Sequence, residues 1–200
     1  MKHIALLVEG NLDETTARCI VEKAGGTVST VYGKRGAGYV KQNIEGFNNL
    51  AKGTPVLAIA DLMDTDFDCP ARAVEAWLPH RNEMMLFRLV VREIESWLLA
   101  DRSNVAQFLG VPKKKIPRRP ERLDDPKRNV VNLARQSRYR RIRELLVPEE
   151  GVSASEGPGY TSEMQTFVRE AWHPGKAREK SESLARCVVA VAAFLEKQNS

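Results

Sequence analysis

PVLAIADLMDTDFD, residues 55–68, is an apolar run that ends in a dense cluster of acid. Val56, Leu57, Ala58, Ile59 and Ala60 follow one another without a polar interruption, the pattern of a strand buried on both faces of a parallel sheet, and Asp61 terminates it. Asp61, Asp64, Asp66 and Asp68 then place four carboxylates within eight residues. Like charges that close raise one another's pKa, so the cluster is unfavourable unless a cation neutralises it. One aspartate suffices to cap the helix that Pro70 opens, and four exceed that need.

Outward from this segment the chain repeats the same pattern. HIALLV (3–8) is a second buried run ending at Glu9-Gly10, and MMLFRLVV (84–91) is a third that leads into Arg92-Glu93-Ile94-Glu95. Between the first two lie a helical pattern with Ala17, Ile20, Val21 and Ala24 on one face, with Asp13 as its expected N-cap, and a β-rich stretch at 27–32. Gly25-Gly26 separates those two. Residues 39–50 and the segment from Pro70 with Ala73, Val74 and Trp77 read as helices. Alternating strands and helices predict an α/β fold, a mostly parallel sheet of about four strands with helices on both faces. Ligands of such sheets gather beyond the carboxyl ends of the strands, so Glu9, Asp61 and the 93–101 segment are predicted to converge.

Beyond Asp101 the pattern is helical. Helices are expected near 105–109, 128–136, 139–146, 161–171 and 181–197, with a basic, Pro-rich connector at 111–126 and an exposed loop at 147–159. The division expected is an α/β domain over 1–110 and a helical extension over 111–200, packed on it or continuous with it.

Two hundred residues with 42% apolar content support one principal core. No apolar run approaches the roughly 18 residues of a membrane span, and Glu9 arrives before a signal-peptide core forms, so a soluble, cytoplasmic protein with no membrane partner is expected. Cys19, Cys69 and Cys187 are odd in number and lack metal-ligand spacing, which predicts reduced thiols. His3, His80 and His173 have no partner pattern.

Lys and Arg exceed Asp and Glu by five, and the excess is concentrated. Lys113, Lys114, Lys115, Arg118, Arg119, Arg138, Arg140 and Arg141 lie in one basic stretch, suited to a polyanion such as DNA or RNA. The acid cluster contains no His or Cys, so its oxygen ligands favour Mg2+, Mn2+ or Ca2+ over zinc. An EF-hand calcium loop fails on spacing, because Phe67 or Pro70 stands where that loop needs glycine. Trp77, Trp97 and Leu98 read as core rather than as base-stacking platforms.

Val8-Glu9-Gly10 after the first strand, with Asp61 and then Asp64 or Asp66 after the third, resembles the Toprim arrangement of topoisomerases, primases and overcoming-lysogenization-defect nucleases. The stretch 57–184 is similar to a Toprim-like family of uncharacterised function. That likeness rests on Val91 to Asp101 (VREIESWLLAD), Asp125-Pro126-Lys127, Gly159-Tyr160 and Ser181-Glu182-Ser183-Leu184. The chain departs from the usual Asp-x-Asp spacing, since Met63 holds the second-acid place if Asp61 is the first. Asp61 is favoured as the strand-end ligand, with Asp64 and Asp66 competing for second place. The resemblance implies a nuclease using Mg2+ or Mn2+, working beside an ATPase partner in phage defence. It implies Glu9 as metal ligand or general base, Glu95 as holder of a second metal or positioner of the first, and Lys127 as stabiliser of charge on the phosphate. Two rivals remain: a phosphoacceptor signalling domain, which also places acids after strands one and three, and a non-catalytic nucleic-acid-binding or ATPase-partner module.

Overall fold

The computed structural model describes residues 2–197. The chain falls into two compact units: one runs to Val91 and takes back the chain from Ser183 onward, the other spans Arg92–Glu182. The division thus lies nearer the N-terminus than residue 110, and the last helix belongs with the sheet.

In the first unit β1 (His3–Val8), α1 (Asn11–Lys23), β2 (Thr27–Gly33), α2 (Ala37–Leu50), β3 (Val56–Asp61), α3 (Pro70–Trp77) and β4 (Met85–Val90) alternate. The four strands form an all-parallel sheet in the order β2-β1-β3-β4. Leu6 lies opposite Leu57 and Leu57 opposite Leu86, so the central strands carry their bulk in shared rows. Because side chains alternate along a strand, Ala5, Leu7, Ala58 and Phe87 face one side. They pack there with Val40 and Ile44 of α2 and Ala73 and Trp77 of α3. α1 and the last helix of the chain (Glu182–Lys197) supply further apolar bulk to this unit. Val21 of α1 and Leu195 of the last helix close together over Gly26, where a Cβ would meet both. The expected mostly parallel, four-stranded α/β sheet with helices around it is therefore what the chain builds.

α1 starts earlier than its expected cap. Gly10 occupies the N-cap position and Asp13 lies inside the first turn, buried, because β1 releases the chain at Glu9 and the helix begins as soon as Gly10 has turned it. Gly25, at φ 80, ends the segment as expected.

The second unit is helical: α4 (Ile94–Ala100), α5 (Arg102–Leu109), two 3-10 turns, α6 (Pro126–Arg135), α7 (Arg140–Leu146), α8 (Tyr160–Glu170) and α9 (Pro174–Ala177). All seven residues of α4 are buried. Trp97 sits at the centre, and the Trp172 indole N–H donates to its carbonyl at 3.2 Å. Asp101 caps α5 by accepting from the Asn104 main chain at 3.4 Å, and it also accepts the His173 N–H at 3.0 Å. Much of the VREIESWLLAD string is therefore the core of this unit, and Trp97, Leu98 and Trp77 are all buried. Among the described residues, no helix is long and apolar enough to cross a membrane.

Candidate metal centre

β1 and β3 are the adjacent central strands of the sheet. β1 is followed by β2 on one side, whereas β3 is followed by β4 on the other, so their carboxyl ends form the point at which the strand order reverses, the preferred ligand site of open α/β sheets. Glu9 follows β1 and Asp61 ends β3.

Glu9 is held from three directions. Its own carbonyl accepts the Gly36 N–H at 3.0 Å, and the preceding Val8 carbonyl accepts the Lys34 N–H at 2.8 Å. Its side chain crosses to β3, where Oε1 accepts the Asp61 main-chain N–H at 3.2 Å. After Asp61 the chain makes a 3-10 turn, Leu62–Asp64, closed by the Thr65 hydroxyl donating to the Leu62 carbonyl at 2.7 Å. Three residues complete one 3-10 turn, so side chains at i and i+3 eclipse. Asp64 is therefore returned to the side of Asp61, while Met63 projects into solvent. One carboxylate oxygen from each of Glu9, Asp61 and Asp64 lies within 4.8 Å of the others.

Such spacing matches the span across one hard cation, whose oxygen ligands sit about 2.1 Å (Mg2+) to 2.5 Å (Ca2+) from its centre. Electrostatics agree with the geometry. Burial, then the nearby carboxylates of Asp13 and Asp64, push Glu9 up to about 8, outweighing the Asp61 N–H that favours the charged form. A cation between the oxygens would offset that penalty. The three carboxylates could thus hold a metal ion.

Of the acids predicted from sequence, Glu9, Asp61 and Asp64 are brought together. Asp66 is outside the group, exposed and 3.4 Å from the Lys41 ammonium, and Asp68 is exposed. The spacing that interrupts Asp-x-Asp is accommodated by the 3-10 turn, which makes the third residue after Asp61 its neighbour. Asp13, expected as a cap, instead adds charge beside Glu9. The signal for this is its position one helical turn beyond Glu9, across the glycine of a β-to-α turn, where a Cβ on Gly10 would lie 3.0 Å from Asp13 Oδ2.

Glu95 and Lys127 belong to the second unit and have a setting of their own. Glu95 is buried and accepts from the Tyr160 hydroxyl at 3.0 Å. Burial, then Glu93, push it up to about 7, against the opposing pull of Lys127 and Tyr160. The Lys127 ammonium lies 5.7 Å from the Tyr160 ring centre and 3.7 Å from Glu156, and its main-chain N–H donates to Glu93 at 3.2 Å. Three stretches of the sequence motif, Glu93-Ile94-Glu95, Lys127 and Tyr160, are thereby collected around one buried carboxyl.

The basic stretch is spread over several elements. Lys113, Lys114 and Lys115 form an exposed 3-10 turn, with Lys115 donating to Gln136 at 2.6 Å. Arg118 and Arg119 are exposed in the connector. Arg138 packs over the Tyr139 ring at 4.9 Å, Arg140 pairs with Glu144 at 2.6 Å, and Arg141 pairs with the buried Glu163. Arg140 and Arg141 are thus engaged within the protein. No protein-family model, curated protein or solved structure matches the chain.

Proposed function

We propose that the chain is a divalent-metal-dependent nuclease of the Toprim type, hydrolysing phosphodiester bonds in DNA or RNA with Mg2+ or Mn2+ held by Glu9, Asp61 and Asp64. The observation that carries this reading is the convergence of three carboxylate oxygens within 4.8 Å at the strand-order reversal of a parallel sheet. When bound there, a divalent ion supplies an activated water and neutralises phosphate oxygens. The chain's own residues do the rest. Burial and the neighbouring carboxylates hold a proton on Glu9 near neutral pH, a proton that Glu9 would have to release to serve as a metal ligand. The Asp61 N–H fixes the Glu9 carboxyl in place, and the 3-10 turn fixes Asp64 relative to Asp61. The net charge of +5, concentrated in the exposed Lys113 to Arg119 region and at Arg138, favours a polyanionic substrate. Free cysteines and the resemblance to phage-defence proteins support work in the cytoplasm, beside an ATPase partner.

The test is cleavage of plasmid, single-stranded DNA and transfer RNA by the purified protein with Mg2+ or Mn2+, beside Asp61→Ala and a chelated control. Metal-dependent cleavage lowered about 100-fold or more in Asp61→Ala is expected, the scale on which removing a catalytic group acts. Equal cleavage by both proteins, or none by wild type with either metal, defeats the reading. The same strand ends would also suit a phosphoacceptor aspartate. A stable aspartyl phosphate on Asp61 after incubation with a small phosphodonor therefore counts against the nuclease.

A further inference from the structure

Helix α6 presents Arg128, Asn132 and Arg135 at spacings of four and three, which places them on one face. That face, with Lys127 and with Ser155 of the loop after α7, lines a cleft of about 480 Å³ in the second unit, floored by Val131. Asp125 also borders it, but its carboxylate is turned to the helix end, where Oδ1 accepts the Arg128 main-chain N–H at 2.6 Å. Other arginines of this unit find acids, Arg140 with Glu144 and Arg141 with Glu163. Among the described residues, no carboxylate lies within ion-pairing distance of the Arg128 or Arg135 guanidinium. Two guanidiniums thus share a concave site in which the Lys127 ammonium is already 3.7 Å from Glu156 and the Asp125 carboxylate is committed to capping.

Seven residues separate Arg128 from Arg135, about 10 Å along a helix rising 1.5 Å per residue. That spacing suits contacts to successive phosphates of a chain. The volume is that of a small-ligand pocket, within the usual range of about 300–1,000 Å³, and has no room for a duplex. No aromatic side chain lines the cleft, so recognition there runs through phosphates rather than stacked bases.

We propose that this cleft binds the phosphodiester backbone of single-stranded nucleic acid, with Arg128 at one phosphate and Arg135 at another. It deepens the nucleic-acid reading above by naming how the strand is held, and it makes no use of the Glu9, Asp61 and Asp64 triad.

Binding of fluorescein-labelled single-stranded DNA and RNA 12-mers to the full chain would be followed by anisotropy in EDTA, between 50 and 200 mM salt. Variants would be Arg128→Glu/Arg135→Glu and the milder Arg128→Gln/Arg135→Gln. Expected results are a loss of roughly ten-fold or more in the first variant, a smaller loss in the second, and a salt slope reduced by about 1.4 as two phosphate contacts disappear. Should the charge-reversed protein lose its circular dichroism, the glutamine pair decides the question. Unchanged binding in a folded variant overturns the proposal, as does pyrophosphate or AMP displacing the strand at micromolar concentration, which would assign the cleft to a free phosphate ligand. A wild type that binds but never cuts with metal would refute the nuclease and leave the cleft standing.

Discussion

The main-chain N–H of Asp61 donates to Glu9 Oε1 at 3.2 Å, so a residue at the end of β3 fixes the side chain that follows β1, 52 positions earlier. This single bond brings together two acids whose mutual approach is otherwise opposed by burial and by neighbouring negative charge. Such an arrangement stores instability that a cation relieves.

Glu9→Gln keeps the acceptor for the Asp61 N–H and removes the buried charge. Glu9 is raised from its ordinary 4.5 to about 8, so its favourable contribution is fully present below pH 4.5 and is lost as pH rises through about 8. Above pH 8 the metal-free variant should therefore be more stable than wild type, by roughly 1–3 kcal/mol. Added Mg2+ or Mn2+ should raise the Tm of wild type and leave that of the variant nearly unchanged. Thermal melts at pH 6 and 9 with and without metal check both signs.

Asp64 and Asp66 should separate cleanly. Asp64→Asn removes one of the three converging oxygens and is expected to weaken Mn2+ binding by about ten-fold or more, a loss of about 1.4 kcal/mol. Asp66→Asn loses only an exposed pair with Lys41 and should bind Mn2+ as wild type does. Titration followed by Mn2+ electron paramagnetic resonance distinguishes them, and equal losses would break the assignment of the 3-10 turn.

Glu95 makes the second unit sensitive to pH. Its folded pKa of about 7 stands above the ordinary 4.5, so the stabilisation present below pH 4.5 declines as pH rises through about 7. The loss amounts to about 3 kcal/mol at roughly 1.4 kcal/mol per pH unit. Glu95→Gln retains an acceptor for the Tyr160 hydroxyl and should flatten this slope. Urea melts at pH 5, 6, 7 and 8 read it directly.

Gly33, at φ 94, lies beside the end of β1, and a Cβ there would collide with the Val8 carbonyl oxygen. Gly33→Ala should cost roughly 2 kcal/mol or more, through backbone strain and the clash together. Because Val8 directly precedes Glu9, metal binding should weaken as well. A variant as stable as wild type in urea melts would show that the strand end yields freely.

The apolar runs at 3–8, 56–60 and 84–91 suffice to predict a parallel sheet, because a strand buried on both faces has no polar face to interrupt it. The acids at Glu9 and Asp61 are likewise legible, since residues just past such runs must emerge at the sheet's carboxyl edge. Which aspartate joins them is not. Asp64 and Asp66 are equivalent in the sequence, and only the 3-10 turn, closed by Thr65, carries Asp64 back to Asp61 and leaves Asp66 to Lys41. Asp13 has the composition of a cap and lies inside the helix, because a helix starts where the preceding strand releases the chain. The cleft beside α6 is invisible in the basic stretch for a similar reason. A charged residue's identity does not reveal its partner, and tertiary packing pairs Arg140 and Arg141 with acids while leaving Arg128 and Arg135 facing a concavity.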